Sequence, residues 1–303
     1  MNKYLTLVLI LVSAYYANAQ SAVTKDDKVV IAVYGDYLHE NLDWSIAGNS
    51  SGQNPNVLSE VRWKNLKLRG TGLDVQVNIW SGIIFKGQYH RGTIYSGNAT
   101  DTDYSQDNRT NPSYQASLNS DEGYAWNYLA ALGYQFNVLP VLFITPYAGY
   151  NKSRQSLFLK EFNDQTPDGE KKLNSTYQAN WTGPIIGFDA ALDLRNWLSL
   201  KGSLNYTQMK YRATADWNLI DAFAHPDSFK HTADGYEAAV TLQLDFLMTS
   251  SLSAFIRGNY THAETGTGTD ELFLVDGGSV KSQFNEAVRS SKSVGIGIRY
   301  RFR

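Results

Sequence analysis

Hydrophobic and polar residues alternate one for one along most of the chain, the period at which successive side chains of a strand fall on opposite faces. In the clearest stretch Tyr236, Ala238, Val240, Leu242, Leu244 and Phe246 interleave with Glu237, Ala239, Thr241, Gln243 and Asp245. Val294, Ile296, Ile298, Tyr300 and Phe302 alternate with Gly295, Gly297, Arg299 and Arg301. The pattern recurs over 198–207, 186–194, 126–136 and 73–79. Each stretch is close to the ~10 residues with which a tilted strand crosses a bilayer.

Connections alternate too. Tight links are expected at Gly70-Thr71-Gly72, Val138-Leu139-Pro140, Arg195-Asn196-Trp197 and Thr249-Ser250-Ser251. Longer polar stretches fall at 49–55, 98–121, 161–172, 217–232 and 268–282. Counting 29–47 as the first strand, this predicts about ten antiparallel strands with short turns at one end and long loops at the other. That is the pattern of a closed outer-membrane barrel, in which no sheet edge is left facing lipid. A secreted sandwich would alternate as well. Against it stand Trp44, Trp63, Trp80, Trp126, Trp181 and Trp197 near strand ends, where an interfacial girdle belongs. The closing Tyr300-Arg301-Phe302-Arg303 also resembles the C-terminal signal of bacterial outer-membrane proteins, with one extra Arg after the Phe.

The first residues supply an address. Lys3, the apolar run 5–16 and Ala17-Asn18-Ala19 predict a secretory signal peptide over 1–19, leaving 20–303 as one barrel domain. Localisation in the outer membrane of a Gram-negative-type bacterium follows, with outer-membrane lipid as the first partner.

Composition narrows the chemistry. The chain has 303 residues, 27 basic and 29 acidic, and no Cys. Near neutrality excludes the basic footprint of a nucleic-acid binder. The lack of Cys removes thiolate metal sites and thiol nucleophiles. No phosphate-cradling, zinc-protease or serine-hydrolase motif is present, and five scattered His residues make no zinc set, so neither cofactor nor metal is expected.

Along the polar faces the charges are balanced: Glu60, Asp74, Asp189, Asp193, Glu237 and Asp245 against Arg62, Lys64, Lys201, Arg257, Arg299 and Arg301. Buried charges persist when paired, so these residues predict an ion-pair network inside the barrel. Barrels of about eight strands are filled by side chains and general porins need about sixteen, so ten should leave a wet, obstructed lumen. In the loops, Asp101 and Asp103 face Asp221 and His225 as candidates for activating a water, though polar loops are made of such residues anyway.

Two resemblances follow. The Asp101-Thr102-Asp103-Tyr104 motif after a third strand, with Asn111-Pro112 downstream, resembles the omptins, outer-membrane proteases with two aspartates opposite an Asp-x-His pair. Here Phe223 stands two before His225, and Asp221 stands four before it. Asn54-Pro55-Asn56-Val57-Leu58-Ser59-Glu60, the same Asp101–Tyr104 segment, and Ala224-His225-Pro226-Asp227-Ser228-Phe229 look like the Protochlamydia outer membrane protein family, across residues 40 to 303. That resemblance implies an omptin-like barrel with a porin-like or structural surface role, for a small solute or a host-surface ligand. The alternative it leaves is an omptin-like endopeptidase using Asp101, Asp103, Asp221 and His225.

Overall fold

The computed structural model describes residues 27–163 and 165–302; the expected signal peptide over 1–19 lies outside them. Twelve strands run in chain order: β1 (Val29–Ile46), β2 (Ser59–Trp80), β3 (Ile83–Gln106), β4 (Thr110–Asn119), β5 (Gly123–Tyr134), β6 (Phe136–Leu139), β7 (Leu142–Leu159), β8 (Ser175–Arg195), β9 (Leu198–Asp216), β10 (Phe229–Leu247), β11 (Leu252–Phe273) and β12 (Ser279–Phe302). They form one antiparallel sheet that closes on itself, because β1 pairs with β12 on one side and β2 with β3 on the other.

Ten staves make the ring. β4, β5 and β6 are successive pieces of the fourth: β4 pairs with Asn98–Gln106 of β3, β5 with Ile83–Thr93, and β6 continues along the start of β7. The break before β5 is set by Gly123, whose φ is +117° and where a Cβ would stand 2.0 Å from the Ser156 carbonyl oxygen. Only glycine fits there.

Three of the four expected short turns stand where the sequence places them, at 140–141, 196–197 and 248–251. The fourth is corrected. Gly70-Thr71-Gly72 lies inside β2, and the chain turns at Ser81-Gly82 instead. Those glycines make room inside the barrel: a Cβ on Gly72 would sit 2.0 Å from the Tyr34 ring, and one on Gly70 would sit 2.1 Å from Asp36 Oδ1. Two of the expected long loops are mostly strand. Residues 98–119 form the hairpin of β3 and β4, and β11 and β12 run on to a tip at 274–278. Polar residues beyond the bilayer still gain from ladder hydrogen bonds, which composition does not reveal.

The faces sort themselves as a bilayer requires. Leu204, Leu242, Ile256, Val294, Ile296 and Ile298 point outward and are exposed. In water, large apolar side chains lined up on one sheet face would be a liability; in lipid they are the binding surface. Tyr37, Tyr128, Tyr150, Tyr206 and Tyr260 are exposed on the loop side of this band, and Trp80, Tyr134, Phe136, Trp197 and Phe246 on the turn side. From Tyr236 to Phe246 is roughly 33 Å along a tilted strand, which projects to the ~25 Å of an outer-membrane apolar band. The stave segments between the two aromatic rows are the membrane-spanning ones. Val29 pairs with Phe302 at the turn end, so both described ends lie on the side of the short connections.

Candidate functional site

Inside the ring, the membrane-level section is a polar chamber of about 330 Å³. It extends from the turn end, where Asp27, Asn78, Gln135 and Arg301 line it, up to Glu40, Glu237 and Arg289. Its charges are stacked in paired tiers. Nearest the turns, Asp245 takes Arg299 at 2.5 Å and Lys201 at 3.0 Å, while Ser199 donates to Asp193 at 2.7 Å. Higher up, Arg257 meets Asp74 at 3.0 Å and Lys86 meets Asp189 at 2.5 Å. At the top Arg289 bonds Glu237, and Ser153 accepts from the same guanidinium at 3.1 Å. Each guanidinium also lies on a ring, Arg257 over Tyr34 at 4.2 Å and Arg289 over Trp181 at 5.3 Å. Pairing offsets the desolvation these ions would otherwise suffer.

Of the predicted network, Asp189, Asp193, Lys201, Glu237, Asp245, Arg257 and Arg299 point inward. Glu60, Arg62 and Lys64 do not. Asn65 adopts a left-handed φ of 53° and the register of β2 shifts there against both neighbours. That bulge adds one residue, so every side chain above it changes face. Val61 and Trp63 turn inward and are fully buried, and Glu60, Arg62 and Lys64 turn outward. Burial works against the charge of Glu60, but hydrogen bonds from Arg109 and Arg62, both at 2.7 Å, outweigh it and lower its pKa. Lys86 and Arg289 were missed, although counting down from Arg299 in twos along β12 reaches Arg289.

Above the chamber the chemistry changes. Trp44 from β1, Trp63 from β2, Tyr177 and Trp181 from β8, Tyr211 from β9, Phe229 and His231 from β10 and Phe284 from β12 fill the bore. The rings meet across the lumen: Trp63 and Tyr177 at 5.2 Å between centroids, Trp181 and Tyr211 at 4.5 Å, Tyr211 and Phe284 at 5.6 Å, Trp44 and His231 at 4.9 Å. Ala99, Ala179, Ala213, Ala263 and Ala287 give these rings space from the surrounding wall. Burying a large apolar side chain is worth roughly 1.5–3 kcal/mol, so the plug is a substantial part of the molecule's stability. Tyr211 and Tyr177 share a 2.5 Å hydrogen bond, and Tyr177 Oη lies 2.9 Å from His231 Nδ1. Burial raises both phenol pKa values far above the ordinary range.

At the rim, Asp101 and Asp103 share the inward face of β3. Asp101 is buried, and its pKa is pushed up to about 7 by that burial and by Asp103, against a hydrogen bond with Trp217. The expected carboxylate–imidazole pair does not form. Asp221 is exposed and meets Lys171 at 3.1 Å, while His225 Nδ1 lies 2.6 Å from Asp216 Oδ1. The loop 217–228 returns to pair Phe229 with Ala215, so the carboxylate brought beside His225 is the one at the loop's base. Only the strand pairing makes Asp216 a neighbour. Among the described residues, no group of three or more His, Cys, Asp or Glu side chains is placed to hold a metal ion.

Comparison with known proteins adds the following. Residues 33–302 match the model of the Protochlamydia outer membrane protein family. Among solved structures, the outer membrane protease OmpT of Escherichia coli superposes with a TM-score of 0.70 at 13% identity, over 93% of this chain and 100% of that one. The outer membrane protein OprG of Pseudomonas aeruginosa gives 0.38 at 11% identity, over 94% and 100%. The translocator domain of the autotransporter NalP of Neisseria meningitidis gives 0.39 at 10%, over 99% and 95%. None of the curated protein sequences matches.

Proposed function

The chain belongs to the Protochlamydia outer membrane protein family, and from that premise we propose that it is a porin-like surface barrel whose conduit rests closed at the outer mouth. The observation that carries this reading is the aromatic plug seated on a polar, charge-paired chamber. The chamber offers hydrogen-bonding walls to a small polar solute arriving from the turn side. The plug offers none to a solute from outside, and its rings leave the outer loops as the surface the cell presents.

Planar-bilayer recording tests this. At neutral pH the wild type should show only rare, small openings, whereas the double variant Trp63→Ala/Phe284→Ala, which removes two rings that span the bore, should conduct steadily. Large steady conductance from the wild type, or silence from a variant that still shows the heat-modifiable gel migration of a folded barrel, would contradict the reading.

A peptidase reading draws on one observation, the two carboxylates Asp101 and Asp103 at the rim with one ionising near neutrality. General-base catalysis would also need an imidazole facing these two carboxylates, and His225 pairs with Asp216 and with neither of them. We expect wild-type protein in lipid-containing detergent to cleave no basic-site peptide. Cleavage abolished by Asp103→Ala would favour the peptidase instead.

A further inference from the structure

His231 is the one imidazole in the plug. It is fully buried, with Trp44 of β1 at 4.9 Å, Phe284 of β12 at 4.4 Å and Phe229 of its own strand at 5.0 Å between ring centroids. The titratable groups that face it are few. Tyr177 of β8 touches Nδ1 and is backed by Tyr211 of β9; Asp270 of β11 places Oδ1 3.2 Å from Nε2. Asp270 is in turn tied by Ser282 of β12, which donates to Oδ2 at 3.0 Å.

These contacts have a direction. A neutral imidazole protonated on Nε2 accepts at Nδ1 from Tyr177, Tyr177 accepts from Tyr211, and the Nε2 proton lies toward Asp270. A second proton can go only to Nδ1. Once there it repels the Tyr177 hydroxyl proton, which must turn away: whether it swings to Tyr211 and reverses that bond or stays aside, one buried hydroxyl proton loses its acceptor. The plug then contains a cation against Trp44, Phe229 and Phe284, with Asp270 as its single counter-charge. An open conformation, in which water reaches the ring, accepts that proton at less cost.

We propose that His231 makes the aromatic plug an acid-opened gate, with protonation of Nδ1 breaking the Tyr211–Tyr177–His231 relay and releasing the rings that block the bore. The inference rests on the reading of the barrel as a closed conduit. Burial holds the imidazole pKa below its ordinary value, while Asp270 pulls it back up. The sign is consistent: the closed state binds the proton less tightly than a wetted one, so closure is stable at neutral pH and weakens as pH falls below the ordinary imidazole range.

The experiment is planar-bilayer recording of the full mature chain between pH 7.5 and 4.5, with protons as the only ligand varied. Wild type should open reversibly on acidification, its open-to-closed ratio rising by at most about tenfold per pH unit as the pH falls, the limit for a single titrating group. His231→Gln and His231→Phe, each checked for folding by heat-modifiable migration, should stay closed across the range. Asp270→Asn should move the midpoint to higher pH, because it removes the counter-charge that lets the closed plug tolerate a cationic ring; a residue that merely packs would leave the midpoint unchanged. Trp63→Ala/Phe284→Ala is the control that separates the two readings. If it conducts while wild type stays shut in acid, or while both His231 variants open as wild type does, the gate is refuted and the closed conduit stands. If it does not conduct, both fall together.

Discussion

Asp101 shows how a single position changes meaning between sequence and structure. Read in its motif it is a candidate for activating a water; in the barrel it is a buried carboxyl beside Asp103 that hydrogen-bonds Trp217. Because its folded pKa is raised from 3.8 to about 7, the contribution of its protonated form is fully present below the unfolded value and is lost as pH rises through the folded one. The mouth should therefore be weaker at pH 8 than at pH 5. Asp101→Asn keeps the shape and removes the charge, so it should stabilise the protein at pH 8 by about 2 kcal/mol and flatten the pH dependence, measured by urea unfolding in lipid vesicles. The inner tiers behave the opposite way to substitution. Arg289→Leu strands Glu237 in the chamber and should cost roughly 3–5 kcal/mol, and adding Glu237→Gln should restore much of it, because an unpaired buried charge costs more than a missing pair. A restoration of nothing would show that Arg289 matters for packing alone.

At the scale of the strand, period-two patterning locates the bilayer. Leu242 lies mid-band on β10, between Tyr236 and Phe246, and Gln208 lies beyond Tyr206 on β9, so an arginine meets hydrocarbon at the first and headgroups at the second. Leu242→Arg should cost roughly 2–4 kcal/mol and Gln208→Arg under about 1 kcal/mol. Equal costs would move the lipid boundary. Topology has its own check: an epitope inserted at Asn108, in the tip between β3 and β4, should bind antibody on intact cells, and one at Asn196 should not. The reverse result would invert the barrel. The same elements show what composition hides. Gly70 and Gly72 read as a turn and are the space that Asp36 and Tyr34 occupy. Residues 98–121 read as a loop, yet most of them pair as β3 and β4 above the membrane.

For the whole molecule, closure turns ten patterned staves into an object with an inside, and the inside is divided by height. Charged pairs occupy the membrane level, where the outer wall is apolar; rings occupy the level above it. A closed barrel of this kind should migrate faster unboiled than boiled on a detergent gel, and a truncation removing β12 should abolish that difference, because β12 supplies the seam with both β1 and β11. The sequence by itself determined the alternation of the faces, the count of about ten staves and the shared parity of Asp189, Lys201, Asp245 and Arg299, because the two faces of an unbulged strand alternate at a fixed period. Only the tertiary structure decided which inward residues share a height. Trp44, Tyr177, His231 and Phe284 come from four separate strands, and no local pattern joins them. Their meeting depends on strand tilt and on the stagger of hydrogen-bond register at closure, and on a single bulge at Asn65 that reverses the faces above it. A slip of two residues in any one stave would leave every face correct and dismantle the plug.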